Sequence, residues 1–314
     1  LYNLTEEEYW KSLAEKYTEA LEKMQYNTSH HDVGFIIGCS YMNGIRMGGE
    51  EKYKPVVVQA AKSLSTRFRP VAGVIQSWNT QKGWQSERGW KCPVIIDNMM
   101  NLELLFEATR LSGDSTFYNI AVSHADKTLK NHFRKDGSSY HVVDYDPETG
   151  EVRSRSTAQG YADESAWARG QAWVIYGYTM CYRYTHNPAY LKQAERTYDF
   201  IFTHTNMPED LVPYWDYDAL NIPNEPRDVS SAAITASALY ELSSATRYAG
   251  YKETADLIMA SLASSAYRAE LGDNQGFLLM HSVGSIPHGN EIDVPLNYAD
   301  YYFLEALKRK RDME

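Results

Sequence analysis

The chain has 314 residues, 43% hydrophobic and 23% charged, with 31 Lys plus Arg against 41 Asp plus Glu for a formal net charge of −10. That length fills one or two domains, and there is no apolar run of the ~18 residues that would suggest a transmembrane helix, so a globular chain without a membrane partner is expected. The acidic balance, with no basic stripe longer than Lys308–Arg311, excludes the clustered positive charge that nucleic acid requires.

Cys39, Cys92 and Cys181 lack CxxC spacing, which leaves neither a zinc knuckle nor a disulfide framework and reads as buried small apolar residues. The 25 Tyr, 9 Phe and 7 Trp make an aromatic share of 13%, much of it near turn-like segments. Flat rings with polar edges suit sugars; ordinary core packing is the alternative.

Leu1 to Leu4 carries no signal-peptide pattern and leads into a first helix, so the chain reads as a mature or trimmed product. Thr5 and Glu8 form a capping-box pattern, and Tyr9, Leu13, Tyr17 and Leu21 share a helical face up to about Tyr26. Further helices are predicted over 33–47, 51–67, 94–112, 115–134, 164–186, 188–205, 229–249, 252–270 and 298–310. Glu51–Arg67 and Tyr251–Arg268 are amphipathic, whereas Ile95–Ala108, Ser230–Leu242 and Tyr298–Leu307 are apolar or small nearly all round. The first kind predicts an outer layer and the second an inner one.

Asp32, Asp97, Asp163, Asp228 and Asp300, spaced 65, 66, 65 and 72 residues, each fall at or just before an inner helix. A fixed period predicts a ring or solenoid of helical hairpins, although an Asp at a helix start also has the plain role of a cap. The longer connections differ from tight solenoid turns. Residues 70–91 carry Trp78, Trp84 and Trp90, 138–156 alternates like a hairpin turning at Asp146–Gly150, 206–227 holds four prolines, and 272–295 is rich in Gly, His and Asn. Long ordered loops at one end of a helical ring are where a site is built. No composition break divides the chain, so 1–314 reads as one domain.

Three segments suggest chemistry. Ser29–Phe35 carries His30, His31 and Asp32 at a helix mouth; adjacent histidines diverge on a helix, so a hydrogen-bonding His31–Asp32 pair is expected and no metal. Pro93–Met100 sets Asp97 among apolar side chains, where desolvation favours the protonated acid; an N-cap after Pro93 is the competing reading. On a helix, Ala166, Arg169 and Trp173 share a face. A guanidinium beside an indole suits a carboxylated sugar, and an arginine paired with a buried aspartate is the alternative. Serine-nucleophile motifs, P-loops, dinucleotide fingerprints and HExxH are absent, and no cofactor is expected.

The motifs HHDVGF (30–35), GVIQSW (73–78), VIIDNMMNLELLFEA (94–108), SSYHVVDYDPETG (138–150), QGYADESAWARGQAWVIYG (159–177), RDVSSAAITASALYEL (227–242) and YADYYFLEAL (298–307) resemble the unsaturated glucuronyl hydrolases of glycoside hydrolase family 88. The resemblance implies an all-α fold, an (α/α)6 barrel of six helical hairpins. The five hairpins predicted above would then lack the N-terminal one, which in the family lends an aromatic wall residue to the pocket. It further implies a substrate left by polysaccharide lyases, an oligosaccharide ending in a 4,5-unsaturated uronic acid, with glycosaminoglycan fragments foremost.

Carried over by matching position, Asp97 would be the acid/base that protonates C4 and activates water for C5, and Asp32 would hold and tune the site with His31 beside it. His141 and Gln159 would contact the sugar, Arg169 its carboxylate side, and Trp173 and Trp78 would stack on the unsaturated and neighbouring rings. Some members that accept 6-sulfated amino sugars share a Ser-x-x-Ser-x-Lys loop; the comparable stretch is Ser282–Pro287, with Pro287 in place of Lys, so that preference is not carried over. The rival readings are an unsaturated rhamnogalacturonyl hydrolase acting on pectin fragments and a non-catalytic sugar-binding barrel. A monomer or homodimer is expected, with a periplasmic location ahead of a cytoplasmic one.

Overall fold

A computed structural model describes residues 2–314, without the side chains of Asn3, Leu4 and Glu50; the reading of Leu1 as a lead into helix lies outside the described residues. In chain order the elements are α1 (Tyr2–Thr5), α2 (Glu8–Glu19), a 3-10 turn (Glu22–Tyr26), α3 (Val33–Ile37), two π-helical turns (Gly38–Met42 and Ile45–Gly49), α4 (Glu50–Ser65), β1 (Phe68–Arg69), β2 (Val74–Ile75), α5 (Trp84–Glu87), β3 (Cys92–Ile95), a 3-10 segment (Ile96–Asn101), α6 (Leu102–Ser112) and α7 (Ser115–Asn131). Then follow β4 (Val142–Tyr145), β5 (Val152–Ser156), α8 (Ala168–Thr185), α9 (Pro188–Thr203), α10 (Val229–Thr246), α11 (Ala249–Leu262), a 3-10 turn (Asn274–Gly276), β6 (Ser282–Ser285), β7 (Asn290–Val294) and α12 (Asn297–Asp312). The protein is mostly helical, and its strands are short and lie in the connections.

Two compact units divide the chain. The first comprises the chain up to Val94, Met100–Lys127 and Asp144–Glu151; the second comprises Ile95–Met99, Thr128–Val143 and Val152–Glu314. In the first, α4 packs on α3, α6 and the Glu22–Tyr26 turn. Val57, Ala60, Ala61 and Leu64 recur at helical spacing and are fully buried, as are Val33, Ile37, Leu102 and Leu105. β1 and β2 pair antiparallel, Phe68 opposite Ile75 and Arg69 opposite Val74.

In the second unit, α10 packs on α8, α11 and α12, and α8 on α9. Every residue of α8 from Ala168 to Cys181 is buried, and α10 is buried almost throughout. By contrast α9 and α11 bury single faces, Tyr190, Ala194, Thr197 and Ile201 in one and Tyr251, Ala255, Ile258 and Leu262 in the other. The inner character predicted for Ser230–Leu242 and the single buried face predicted for Tyr251–Arg268 are therefore both seen. β6 and β7 pair antiparallel, Val283 opposite Ile292 and Ser285 opposite Asn290, with a register shift between Ser282 and Val283.

Several expectations are corrected. The Thr5–Glu8 capping box does not form: Glu6 sits at φ 57, the helix starts only at Glu8, and the Thr5 hydroxyl accepts from the Glu7 N–H at 3.2 Å. The predicted apolar face of α2 is not buried, with Tyr9 62% and Tyr17 66% exposed. Segment 94–112 does not begin as helix, because Cys92–Ile95 is a fully buried strand and Asp97 lies in the 3-10 segment that follows; a β-branched run favours extended backbone. Helix α8 starts at Ala168, which leaves Ala166 off the face shared by Arg169 and Trp173. Only Ala299, Tyr302, Phe303 and Ala306 of α12 are buried, while Leu304 and Leu307 are exposed, so this helix is one-faced. Cys39 is exposed, whereas Cys92 and Cys181 are buried as expected.

Gly177 fixes how closely the Asp97 segment lies against α8. A Cβ there would stand 2.6 Å from Cβ of Met99, inside the closest approach of two carbons. Gly177→Ala is therefore expected to destabilise the protein by about 1–3 kcal/mol through overpacking, measured by urea denaturation, and to lower activity because Met99 is two residues from Asp97.

Candidate active site

In the second unit the groups converge on Asp97. Its side chain is 14% exposed, with Oδ2 3.8 Å from Nε2 of His141. The chain brings them together through the Ile96 N–H, which donates to the His141 carbonyl at 2.9 Å. Nδ1 of His141 accepts from the backbone N–H groups of Ala158 and Gln159 at 3.0 and 3.2 Å. A ring nitrogen that accepts carries no proton, so the neutral ring bears its hydrogen on Nε2, the atom facing Asp97. Trp167 backs the imidazole, with ring centroids 4.6 Å apart.

Arg169, in the first turn of the buried α8, is 4% exposed. Nη1 donates to Oδ2 of Asp228 at 3.1 Å and to the Val283 carbonyl, and Nη2 donates to the Gly284 carbonyl at 2.7 Å. Its guanidinium carbon lies 4.5 Å from the Trp167 ring and 5.5 Å from that of Tyr298. Burial works against its charge, but Tyr298, Asp228 and Asp97 outweigh that and hold it above the ordinary guanidinium value. Both terminal nitrogens already donate within the protein, which is the arrangement of an arginine paired with a buried aspartate. Gln159 reaches the same Gly284 carbonyl from its Nε2, at 3.1 Å. Trp173 is buried, its indole edge-on to Tyr302 at 5.4 Å. Burial pushes the Tyr298 phenol up to about 12, against the pull of Arg169.

The first unit places Asp32, His31 and Trp78 together. His31 is 2% exposed, its Nδ1 2.8 Å from the Ser77 carbonyl and its Nε2 3.1 Å from Oδ1 of Asp32. Trp78 meets the imidazole edge-on at 6.5 Å. Arg67 secures this arrangement: Nη2 donates to the Ser77 carbonyl at 3.0 Å, Nη1 to the Thr28 carbonyl at 2.8 Å and Nε to the Gln76 carbonyl at 2.8 Å. Burial pushes its guanidinium down to about 10. Asn101 adds a second brace, accepting from the Phe35 N–H at 2.9 Å, and Gly34 leaves room for it.

Burial lowers the His31 pKa from 6.5, against the opposing pull of Asp32. Between that lowered value and 6.5 the unfolded chain binds more protons than the folded one, so this group's contribution is complete above pH 6.5 and is lost as pH falls below it. Denaturant unfolding at pH 7.5 and 5.5 is expected to show a loss of at most about 1.4 kcal/mol per pH unit from His31, and a smaller loss in His31→Gln.

The spaced aspartates share a sequence position rather than a role. Asp228 caps α10, accepting from the Ser230 N–H and hydroxyl. Asp163 accepts from the Thr157 N–H in a loop, and Asp300 accepts from the Leu278 and Leu279 N–H groups across to a neighbouring segment. Sequence reasoning passed over Trp167 and Tyr298 within matched motifs, and over Arg67, whose importance lies in carbonyls distant from any motif. In Ser282–Pro287, Ser282 is buried and the Ser285 hydroxyl lies 2.7 Å from Nδ1 of His288.

A family model described as Glycosyl Hydrolase Family 88 matches residues 1–305. The chain is 47% identical over its whole length to an unsaturated glucuronyl hydrolase of Formosa agariphila, covering 77% of that protein. It is 33% identical to an unsaturated chondroitin disaccharide hydrolase of Streptococcus agalactiae, over 89% of this chain and 70% of the relative. Among solved structures it is similar to an unsaturated glucuronyl hydrolase specific for heparin, with a TM-score of 0.94 and 45% identity over 99% of this chain and 82% of the other.

Proposed function

The chain belongs to glycoside hydrolase family 88, and from that membership we propose that it removes the 4,5-unsaturated glucuronic acid from the non-reducing end of lyase-generated glycosaminoglycan oligosaccharides. The reaction is hydration of the C4=C5 double bond. The observation that carries this reading is Asp97: a partly desolvated carboxylate beside the protonated nitrogen of a neutral histidine, in the field of a buried arginine. The helical pairs α8–α9 and α10–α11, with the similarity to glucuronyl hydrolase structures, support one catalytic domain on an (α/α)6 barrel.

In its acid form Asp97 gives its proton to C4; the π pair of C4=C5 becomes the new C–H bond and positive charge spreads over C5 and the ring oxygen. Water adds at C5 and its proton passes to the Asp97 carboxylate, which regenerates the acid. The resulting hemiketal opens to a C5 ketone, and the hemiacetal left at C1 collapses to an aldehyde and expels the leaving sugar. An ordinary glycosidase would instead protonate the glycosidic oxygen. Asp32 stabilises the developing cation in this reading, with His31 holding it. His141 orients Asp97, Arg169 and Gln159 together fix the β6 carbonyls, and Tyr298 stays protonated as a donor. Trp78 and Trp173 supply ring surfaces.

The test is the ultraviolet absorbance of the double bond with unsaturated chondroitin, hyaluronan, heparin and rhamnogalacturonan disaccharides. Decay on one of the first three is expected. Decay on the rhamnogalacturonan fragment alone would instead assign the chain to pectin breakdown, and no decay would refute the activity.

A further inference from the structure

The hairpin β6–β7 is tied to the acid within the second unit. Arg169 and Gln159 both donate to the Gly284 carbonyl of β6, at 2.7 and 3.1 Å. Gln159 also gives its backbone N–H to the His141 ring that faces Asp97. Across the hairpin, Glu291 of β7 folds back over Gly284. A Cβ on Gly284 would stand 2.6 Å from Cβ of Glu291 and would run into its Oε2 as well. Gly284 is not among the glycines with positive φ, so space and not backbone conformation calls for glycine there. The room it leaves is where the Glu291 side chain lies.

Glu291 is exposed, and among the described residues it makes no hydrogen bond or ion pair. Its backbone is left-handed, φ 53, as are those of His281 and Asp293 at the hairpin's base, φ 65 and 53. Such backbone costs energy in any residue with a Cβ, and it gathers where function fixes a side chain. Burial leads the rise of the Tyr298 phenol, and the charges of both Glu291 and Asp97 add to it; the two acids thus bear on one ring. Nothing basic offsets Glu291 along the chain, since no Lys or Arg occurs between Arg268 and Lys308. Asp293, the other acid of β7, is matched by His281 at 2.7 Å. Arg169 reaches β6 with both terminal nitrogens already engaged by Asp228 and the Val283 and Gly284 carbonyls.

A sugar hydroxyl or ammonium beside Glu291 meets an acceptor, whereas a sulfate meets a like charge. The unsaturated ring is the constant part of the proposed substrate, so the sugar that leaves is where this edge can select. We propose that Glu291, seated on Gly284, is a specificity-determining residue that admits a leaving sugar with hydroxyl or amino groups and rejects one that carries sulfate. The proposal rests on the hydrolase reading above and adds which members of that substrate class are taken.

The experiment compares kcat/KM for wild type, Glu291→Gln and Glu291→Lys on unsaturated glycosaminoglycan disaccharides that differ by one sulfate on the amino sugar. The wild type is expected to favour the unsulfated member. Glu291→Gln raises the sulfated-to-unsulfated ratio about tenfold, and Glu291→Lys raises it further. Added salt raises the same ratio in the wild type by screening the repulsion and leaves it level in Glu291→Gln, a response that a merely structural role would not give. A wild type that takes both members equally or prefers the sulfated one, or a ratio that Glu291→Gln leaves unchanged, would overturn the assignment. So would an effect confined to a sulfate on the unsaturated ring. Should the wild type consume no unsaturated disaccharide, the hydrolase reading fails by itself. Calorimetric affinities of the same pair for wild type and Glu291→Gln then still decide the role of Glu291, an unchanged affinity ratio counting against it.

Discussion

Asp97→Asn lowers kcat on an unsaturated disaccharide by at least about a thousandfold, toward the upper end of what general acid–base catalysis contributes, because one group serves as both acid and base. Asparagine keeps the shape of the side chain but has no proton to give to C4 and no carboxylate to receive one from water. The fold is expected to stay intact. The segment is held by the Ile96 N–H on the His141 carbonyl and by packing of Met99 against Gly177, neither of which uses the carboxylate. Circular dichroism and the thermal midpoint check that half, and the absorbance assay the other. Activity within tenfold of wild type would move the acid role elsewhere, with Asp32 the next candidate.

Arg169→Met is expected to cost about 3–5 kcal/mol of stability, the range for removing one partner of a buried ion pair. Asp228 is fully buried, and after the change it keeps only the Ser230 donors and the longer contact from the Val283 N–H. The Val283 and Gly284 carbonyls lose their charged donor as well. Arg169→Lys recovers only part, since an ammonium cannot fork to several acceptors. Adding Asp228→Asn to Arg169→Met removes the stranded charge and is expected to regain stability. Urea denaturation measures all three variants; a loss below about 1 kcal/mol for Arg169→Met would mean that the pair's desolvation had cancelled its attraction. Activity falls with stability, because Arg169 shapes the field at Asp97 and fixes β6.

Where periodicity alone decided the structure, it was legible in the sequence. The inner helices α8 and α10 and the one-faced α9 and α11 follow from residue patterning, and the Asp146–Gly150 turn closes as predicted, with the Asp146 N–H on the Glu151 carbonyl. The His31–Asp32 pair was legible because neighbouring residues can interact locally. Asp97 was legible from its apolar neighbours and from its motif, but the strand before it was not, because tertiary packing and a β-branched run override the helical period. The five aspartates looked equivalent since spacing carries no information about partners, whereas Asp228 caps its helix and Asp163 and Asp300 accept from neighbouring segments. Arg67 was invisible for a related reason. Its three carbonyl acceptors come from Thr28, Gln76 and Ser77, and backbone acceptors leave no residue signature.

In the proposed reaction the double bond, and not the glycosidic bond, is the site of attack. An unsaturated glucuronide with carbon in place of the glycosidic oxygen has no bond that an ordinary glycosidase could cleave, yet keeps the C4=C5 vinyl ether. Followed by ultraviolet absorbance and product NMR, the protein is expected to consume this analogue and place a solvent-derived hydrogen on C4. An analogue left untouched, while the natural disaccharide is turned over, would contradict the account.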